Sequence, residues 1–168
     1  MSALGLVFAI ALYGYFTSLG GRPLLRHVVE RVLPQVGDLA ISVERHAAAY
    51  ETFGLAQLPD PATGHNGPLG GLLAALSHFG PRYEWVLLTP CDAPFLPPDL
   101  AASLQRSALA AGVPCSVVRY RGELQPTFSI WHRGLLPAVE QAVLREGLAG
   151  FKQFLRTLEA AACDWRPP

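Results

Sequence analysis

The fold of this chain is decided by residues 85–94, WVLLTPCDAP, near the middle of its 168 residues. The apolar run at the start of this stretch predicts a buried strand over Glu84–Thr89. Pro90 ends the strand, and Pro94 prevents a helix from starting at once. We therefore expect Asp92 to lie on a fixed loop at the carboxyl end of a buried strand.

A carboxylate in this position is suited to binding a hard cation. Mg²⁺ takes one or two protein carboxylates and completes its coordination shell with water and substrate phosphates, so a single well-held aspartate is enough for metal-assisted nucleotidyl transfer. The alternative is that Asp92 caps a turn or the following helix, which is a very common role for an aspartate in a loop. From this one aspartate alone, the capping role is the favoured interpretation.

Short apolar strands alternate with amphipathic helices along the rest of the chain. The spacing of apolar residues predicts a helix that starts at Pro23 and runs up to Pro34, and further helices at Leu72–Ser77, Pro97–Ala111, Leu135–Arg145 and Phe151–Leu158. Apolar runs predict strands at Leu39–Val43, Val113–Arg119 and Pro126–Trp131, and a helical turn is expected around Tyr50. This alternation is typical of an α/β domain over residues 1–168, with a mostly parallel sheet covered by helices on both faces. Ligands of such sheets bind beyond the carboxyl ends of the strands.

A second candidate motif lies in the glycine- and proline-rich residues 59–71, PDPATGHNGPLGG. Asp60 follows a short apolar run, and the glycines from Gly64 to Gly71 allow backbone N–H groups to approach a ligand closely. A helix N-terminus behind such a loop attracts anions, which predicts a nucleotide phosphate site. The alternative is a plain turn, since a glycine-rich loop alone is a weak signal.

The charge and cysteine content narrow the classes of partner. Thirteen Lys and Arg residues balance thirteen Asp and Glu residues, so we expect neither a nucleic acid partner nor a basic membrane-binding patch. The three cysteines form no CxxC pair and suit a reducing cytoplasm. We expect Cys91 to be a small buried residue rather than a nucleophile. The five histidines lack the spacing of metal ligands.

The apolar stretch from Ala3 to Phe16 resembles a secretion signal only in part. No Lys or Arg precedes it, and it is short for a membrane span. We expect a buried edge or core element, and an uncleaved membrane anchor is the alternative.

Several motifs occur together in a characteristic order. They are GRPLLRHV (21–28), LPQV (33–36), Ile41-Ser42, Asp60 followed by GPLGGL (67–72), PCDAPFLP (90–97) and QPTF (125–128). In this combination the chain resembles the molybdenum cofactor guanylyltransferase (MobA) family. The resemblance extends from about Gly20 to about Trp131, and a helical tail to Trp165 fits it loosely.

The resemblance implies a Rossmann-like, three-layer nucleotidyltransferase fold. It also implies transfer of GMP from Mg-GTP to the terminal phosphate of the molybdopterin cofactor, with release of pyrophosphate. Asp92 would bind Mg²⁺ and act in catalysis, and Asp60 would contact the guanine nucleotide together with Gly67, Pro68 and Leu69. The implied partners are GTP, molybdopterin and proteins of cofactor biosynthesis or molybdoenzymes, in the cytoplasm.

The chain also departs from the family pattern. The family's glycine-rich Leu-Ala-Gly-Gly loop and Asp-Lys pair are replaced by LGLVFAIALYGY (4–15), and the one lysine of the chain is Lys152. Glu44-Arg45 stands where the family has Asn-Arg. The family's Asn-Thr-Pro segment, expected beyond Trp165, is missing from the sequence. Residues 1–19 are therefore interpreted as a divergent segment, either inherited or produced by a frame or start-site error; the abrupt return to the family pattern at Gly20 favours the error.

These departures leave three hypotheses. The first is a guanylyltransferase, active or formerly active. The second is a non-catalytic module of the same fold that binds a nucleotide or a partner. The third is a transferase of the same fold that uses CTP or a sugar phosphate.

Overall fold

The computed structural model describes residues 17–43, 48–59, 61 and 67–165 in full and residues 4–9 as backbone. Its strands are β1 (Leu4–Ala9), β2 (Ser18–Leu19), β3 (Arg22–Pro23), β4 (Asp38–Val43), β5 (Ala56–Pro59), β6 (Trp85–Pro90), β7 (Cys115–Tyr120), β8 (Glu123–His132) and β9 (Ala161–Asp164). Its α-helices are α1 (Leu24–Val32), α2 (Gly67–Phe79), α3 (Leu100–Ala111), α4 (Leu136–Leu144) and α5 (Phe151–Phe154). Short 3₁₀ helices occur at Leu33–Gln35, Ala48–Phe53, Arg133–Leu135 and Leu155–Thr157.

Seven of these strands form one sheet in the order β5-β4-β1-β6-β8-β7-β9. Strands β5, β4, β1 and β6 are parallel to one another. Strand β8 is antiparallel to both β6 and β7, and β9 is parallel to β7. Within this described sheet only β8 is therefore reversed, and the carboxyl ends of the other six strands meet at one edge. Strands β2 and β3 form a separate antiparallel pair.

The sheet is covered on both faces, as the alternation on β6 shows. Trp85 and Leu87 pack with α1 and α3 on one face, and Val86 and Leu88 pack with α2, α4 and α5 on the other. All four side chains are at most 4% exposed. Burying each of them stabilises the fold by roughly 1.5–3 kcal/mol relative to leaving it in water. The predicted mostly parallel sheet with helices on both faces is confirmed.

The apolar N-terminal stretch contributes an interior strand. β1 lies between β4 and β6, with Val7 opposite both Ala40 and Leu88. Of the two expected positions, core and edge, the structure selects the core. The rest of that stretch lies outside the described residues.

Two predicted boundaries around α2 and α5 are wrong. The helix predicted at Leu72 begins at Gly67, and the glycines within its first turns allow α2 to pack closely on β4. A Cβ at Gly71 would lie 2.8 Å from Ser42 Oγ. The helix predicted over Phe151–Leu158 ends as an α-helix at Phe154 and continues as a 3₁₀ turn.

Two strands of the seven-stranded sheet, β5 and β9, were not predicted, and neither was the short β2–β3 pair. The expected helical tail contains β9, which pairs with β7, and β5 precedes the glycine-rich segment. Both are four-residue edge strands with few apolar side chains, so their periodicity is too short to identify. Within the described residues no helix is both long and apolar enough to cross a bilayer.

Candidate active site

Asp92 lies on the loop that follows the carboxyl end of β6, as predicted, and its side chain is exposed. Among the described residues its carboxylate forms no recorded hydrogen bond or ion pair, and α3 starts eight residues later. The N-cap of α3 is Asp99, without a side-chain cap hydrogen bond. The capping alternative for Asp92 therefore has no contact to support it in the described part of the chain.

Cys91 points the other way, into the core. It is 3% exposed and packs with the α1 and α3 side of the sheet. Burial raises the pKa of the Cys91 thiol to about 11, and the negative charge of Asp92 acts in the same direction. At neutral pH the thiol is protonated and a poor nucleophile, in agreement with its predicted role as a buried residue.

The loop that carries Asp92 is held by a side chain from elsewhere in the sequence. The Gln35 amide nitrogen donates to Pro97 O at 3.0 Å and to Arg31 O at 2.9 Å. Its oxygen accepts from the backbone N–H of Ala101 at 3.0 Å. Gln35 therefore ties the end of α1 to both the loop and the first turn of α3.

The predicted nucleotide segment is described in part. Gly67 is exposed with φ +50°, and a Cβ there would lie 2.7 Å from Ala149 O. Leu69 is fully buried, and its backbone N–H donates to Ala149 O at 3.1 Å. Of the described residues assigned to this segment, Gly67 is thus exposed, Pro68 is half-buried and Leu69 is buried. Asp60 lies outside the described residues, directly after the end of β5.

The strand order places these motifs at one edge of the sheet. The β6–Asp92 loop follows a carboxyl end there, and α2 begins there after β5. α2 belongs to one face of the sheet and α3, which follows the Asp92 loop, belongs to the other. Gln125 and Pro126 lie in β8, next to the end of β6, and Gln125 is half-buried opposite Val118.

The donor set fits a magnesium ion shared with a substrate. In the described ranges no group of three or more His, Cys, Asp or Glu side chains could enclose a metal by itself. Asp92 offers one exposed carboxylate, which is a hard oxygen ligand. Such a site needs phosphate oxygens to complete the shell, and this is the usual way in which Mg²⁺ is held in nucleotide enzymes.

A cavity that sequence reasoning missed lies beside the Asp92 loop. It has a volume of about 720 Å³ and is lined by the loop residues Phe95–Pro98, the start of α3 and the end of β9. A second cavity of about 300 Å³ adjoins it, and the two share Arg31 and Phe95. The residues that line them are far apart in sequence, so no local motif could have identified them.

A family model described as a MobA-like NTP transferase domain matches residues 15–162. The chain belongs to this family. The molybdenum cofactor guanylyltransferase of Rhodopseudomonas palustris (strain BisB5) is 32% identical over 150 residues, which cover 88% of this chain and 71% of that protein. The enzyme of the same name from Acidovorax sp. (strain JS42) is 35% identical over 153 residues, which cover 85% of this chain and 70% of that protein.

Solved structures agree with the MobA-like assignment at the level of the fold. Molybdopterin-guanine dinucleotide biosynthesis protein A from Archaeoglobus fulgidus superposes with a TM-score of 0.76 at 19% identity, covering 96% of this chain and 83% of that chain. 2-C-methyl-D-erythritol 4-phosphate cytidylyltransferase from Thermus thermophilus gives 0.70 at 17% identity, covering 96% and 88%. The predicted family, nucleotidyltransferase fold and guanylyltransferase-like function are confirmed.

Proposed function

We propose that this MobA-like chain transfers GMP from Mg-GTP to the terminal phosphate of molybdopterin and releases pyrophosphate. The observation that carries the proposal is Asp92: an exposed carboxylate, unpaired within the described residues, on a loop fixed at the carboxyl edge of a nucleotidyltransferase sheet. An exposed carboxylate at this edge is open to solvent and available to a cation.

The reaction needs no covalent intermediate. A phosphate oxygen of the acceptor attacks the α-phosphorus of GTP in line, the new P–O bond forms, and the bond to the β-phosphate oxygen breaks with its electron pair going to pyrophosphate. Bound Mg²⁺ would neutralise charge on the phosphate oxygens. Asp92 is the residue that would hold this ion, on a loop that Gln35 ties to α1 and α3.

The nucleotide side of the site is proposed to involve Asp60, Gly67, Pro68 and Leu69. Gly67, which is exposed, and Pro68, which is half-buried, form the start of α2, whose dipole favours an anion. Leu69 acts through packing, because its side chain is buried and its N–H is occupied by Ala149. Asp60 is proposed to contact the guanine nucleotide.

A second candidate function is nucleotide binding without transfer. The sequence observation that favours it is the absence of a lysine before Lys152, since the family pattern has a lysine near the nucleotide phosphates. Losing one preorganised electrostatic donor to transition-state phosphate typically costs roughly a hundred- to a thousandfold in rate. CTP and sugar phosphates are tested as competitors of GTP in the same assay.

The deciding experiment is guanylate incorporation into molybdopterin by the purified chain with Mg-GTP, compared with Asp92→Asn. We expect incorporation that Asp92→Asn abolishes. The matched control is Asp38→Asn at the amino end of β4, on the opposite edge of the sheet, where the carboxylate pairs with Arg82 at 2.7 Å. The control should keep its activity. Absence of GTP and Mg²⁺ binding at millimolar concentration would overturn the proposal, and binding without incorporation would establish the second candidate.

A further inference from the structure

The two adjoining cavities beside the Asp92 loop form one groove, which we call the Trp165 groove. Its walls come from Arg31 of α1, Phe95 and Pro97 of the loop, Asp99 and Ser103 at the start of α3, and Trp165 after β9. A volume of about 720 Å³ in the larger part alone lies in the range of pockets that enclose small organic ligands. The groove therefore has room for a fused bicyclic ring and a substituent.

Trp165 is fixed as one aromatic wall of this groove. Its backbone N–H donates to Arg119 O at 2.9 Å, and its ring lies 5.7 Å from the ring of Tyr120 and 6.0 Å from that of Phe128. Phe95, on the loop, is 71% exposed despite its size. A held aromatic wall and an exposed one are the surfaces on which a flat heterocycle stacks.

The polar groups of the groove differ in availability. Asp164 is already engaged, because Arg119 donates to both of its oxygens at 2.6 and 2.8 Å. The Asp99 carboxylate accepts from Ser103 Oγ at 2.9 Å through Oδ2, and no other hydrogen bond to it is recorded in the described residues. The Arg31 guanidinium, at the junction of the two cavities, forms no recorded ion pair or side-chain hydrogen bond there.

A carboxylate acceptor, a cation unpaired among the described residues and aromatic walls are complementary to a flat, anionic ligand with a pair of N–H donors. The 2-amino-4-oxopyrimidine ring has such a donor pair, formed by its amino N–H and the adjacent ring N–H. Pterins and guanine both contain this ring edge. The position of the groove relative to the proposed nucleotide segment favours the pterin over guanine. The groove is on the face of α1 and α3, whereas the glycine-rich start of α2 belongs to the other face.

We propose that the Trp165 groove is the subsite for the pterin ring of the acceptor substrate. The ring stacks against Trp165 and Phe95, the Asp99 carboxylate accepts from the 2-amino N–H and the neighbouring ring N–H, and Arg31 pairs with an anionic group of the acceptor. This subsite rests on the proposed function, since that function supplies a pterin acceptor. It also explains why the groove borders the Asp92 loop, where the acceptor phosphate must react.

Binding of 6-carboxypterin to the full chain, measured by equilibrium dialysis without GTP, tests the subsite directly. We expect saturable binding that Asp99→Asn and Arg31→Gln each weaken by about ten- to a hundredfold, the size typical for a lost hydrogen bond to a charged group. Asparagine is as good an N-cap as aspartate, so Asp99→Asn keeps the start of α3. Asp38→Asn is the charge-matched control and should bind normally.

Two further arms separate this proposal from the proposed function. Asp92→Asn should bind 6-carboxypterin as the unmodified chain does, even though transfer is lost. Saturating Mg-GTP should leave pterin binding in place. Competition by GTP would overturn the subsite and assign the groove to guanine, and absence of saturable pterin binding would overturn it as well.

In the transfer assay Asp99→Asn should raise KM for the acceptor and leave KM for GTP unchanged; the opposite pattern contradicts the proposal.

Discussion

At the residue scale, the candidate site depends on two neighbours with opposite surroundings. Asp92 is exposed and available to bind a cation, whereas Cys91 is buried in the core beneath it. The buried neighbour anchors the loop, so the carboxylate is presented at a defined place without needing hydrogen bonds of its own. Because Cys91 anchors the loop, the Asp92 carboxylate stays available to a ligand.

Buried thiols also make the stability of this protein decrease as the pH rises in the alkaline range. Cys115 on β7 is fully buried, and burial raises the pKa of its thiol well above the ordinary value of 9.0. Above pH 9 the unfolded chain loses this proton while the folded chain keeps it. The free energy of unfolding should therefore decrease by about 1.4 kcal/mol per pH unit from this group.

Urea unfolding over a range of pH from 8 to about 10 measures this effect. We expect the slope of the free energy of unfolding above pH 9 to be smaller in Cys115→Ala by about that amount. The substitution also lowers stability at every pH through the space it leaves, which shifts the curve without changing its slope. An unchanged slope would show that the Cys115 thiol does not stay protonated.

At the element scale, Gln35 connects the end of α1 with the Asp92 loop and α3 through three hydrogen bonds. We infer that it is a positioning residue for Asp92. Gln35→Ala should destabilise the fold by about 1–3 kcal/mol, since it leaves partly buried backbone groups without partners. It should also raise the Mg²⁺ concentration needed for half-maximal transfer.

Gln35→Glu is the informative comparison. A carboxylate can still accept from Ala101 N–H, but it cannot donate to Pro97 O, so the loop is released while the start of α3 stays bonded. We expect Gln35→Glu to show the same increase in Mg²⁺ requirement. A stability loss with an unchanged Mg²⁺ requirement in both variants would mean that Gln35 has a structural role only.

Elements also show what the sequence could and could not predict. The apolar run of β6 and its flanking prolines were enough to place Asp92, because that signal is local. Strands β5 and β9 were missed, since edge strands need few apolar residues. The Trp165 groove could not be predicted, because Trp165 reaches it through the pairing of β9 with β7, and Arg31 and Asp99 meet there through the packing of α1 beside α3.

At the scale of the whole molecule, the candidate substrate sites belong to opposite faces of one sheet and meet at its carboxyl edge. The start of α2 belongs to one face and the Trp165 groove to the other, with the Asp92 loop at the edge between them. Two sites that do not overlap can be occupied together. The Cys91 thiol beside Asp92 is protonated at neutral pH, so it is not available to carry a guanylyl group between two half-reactions.

The arrangement therefore predicts a sequential mechanism, in which both substrates bind before pyrophosphate leaves. Initial rates measured at several fixed acceptor concentrations should give double-reciprocal lines that intersect, and labelled pyrophosphate should not exchange into GTP without acceptor. Cys91→Ala should keep the intersecting pattern. Parallel lines, or exchange without acceptor, would require a covalent guanylyl-enzyme. That result would contradict direct in-line transfer at Asp92, because the first product would then leave before the pterin acceptor reached its groove.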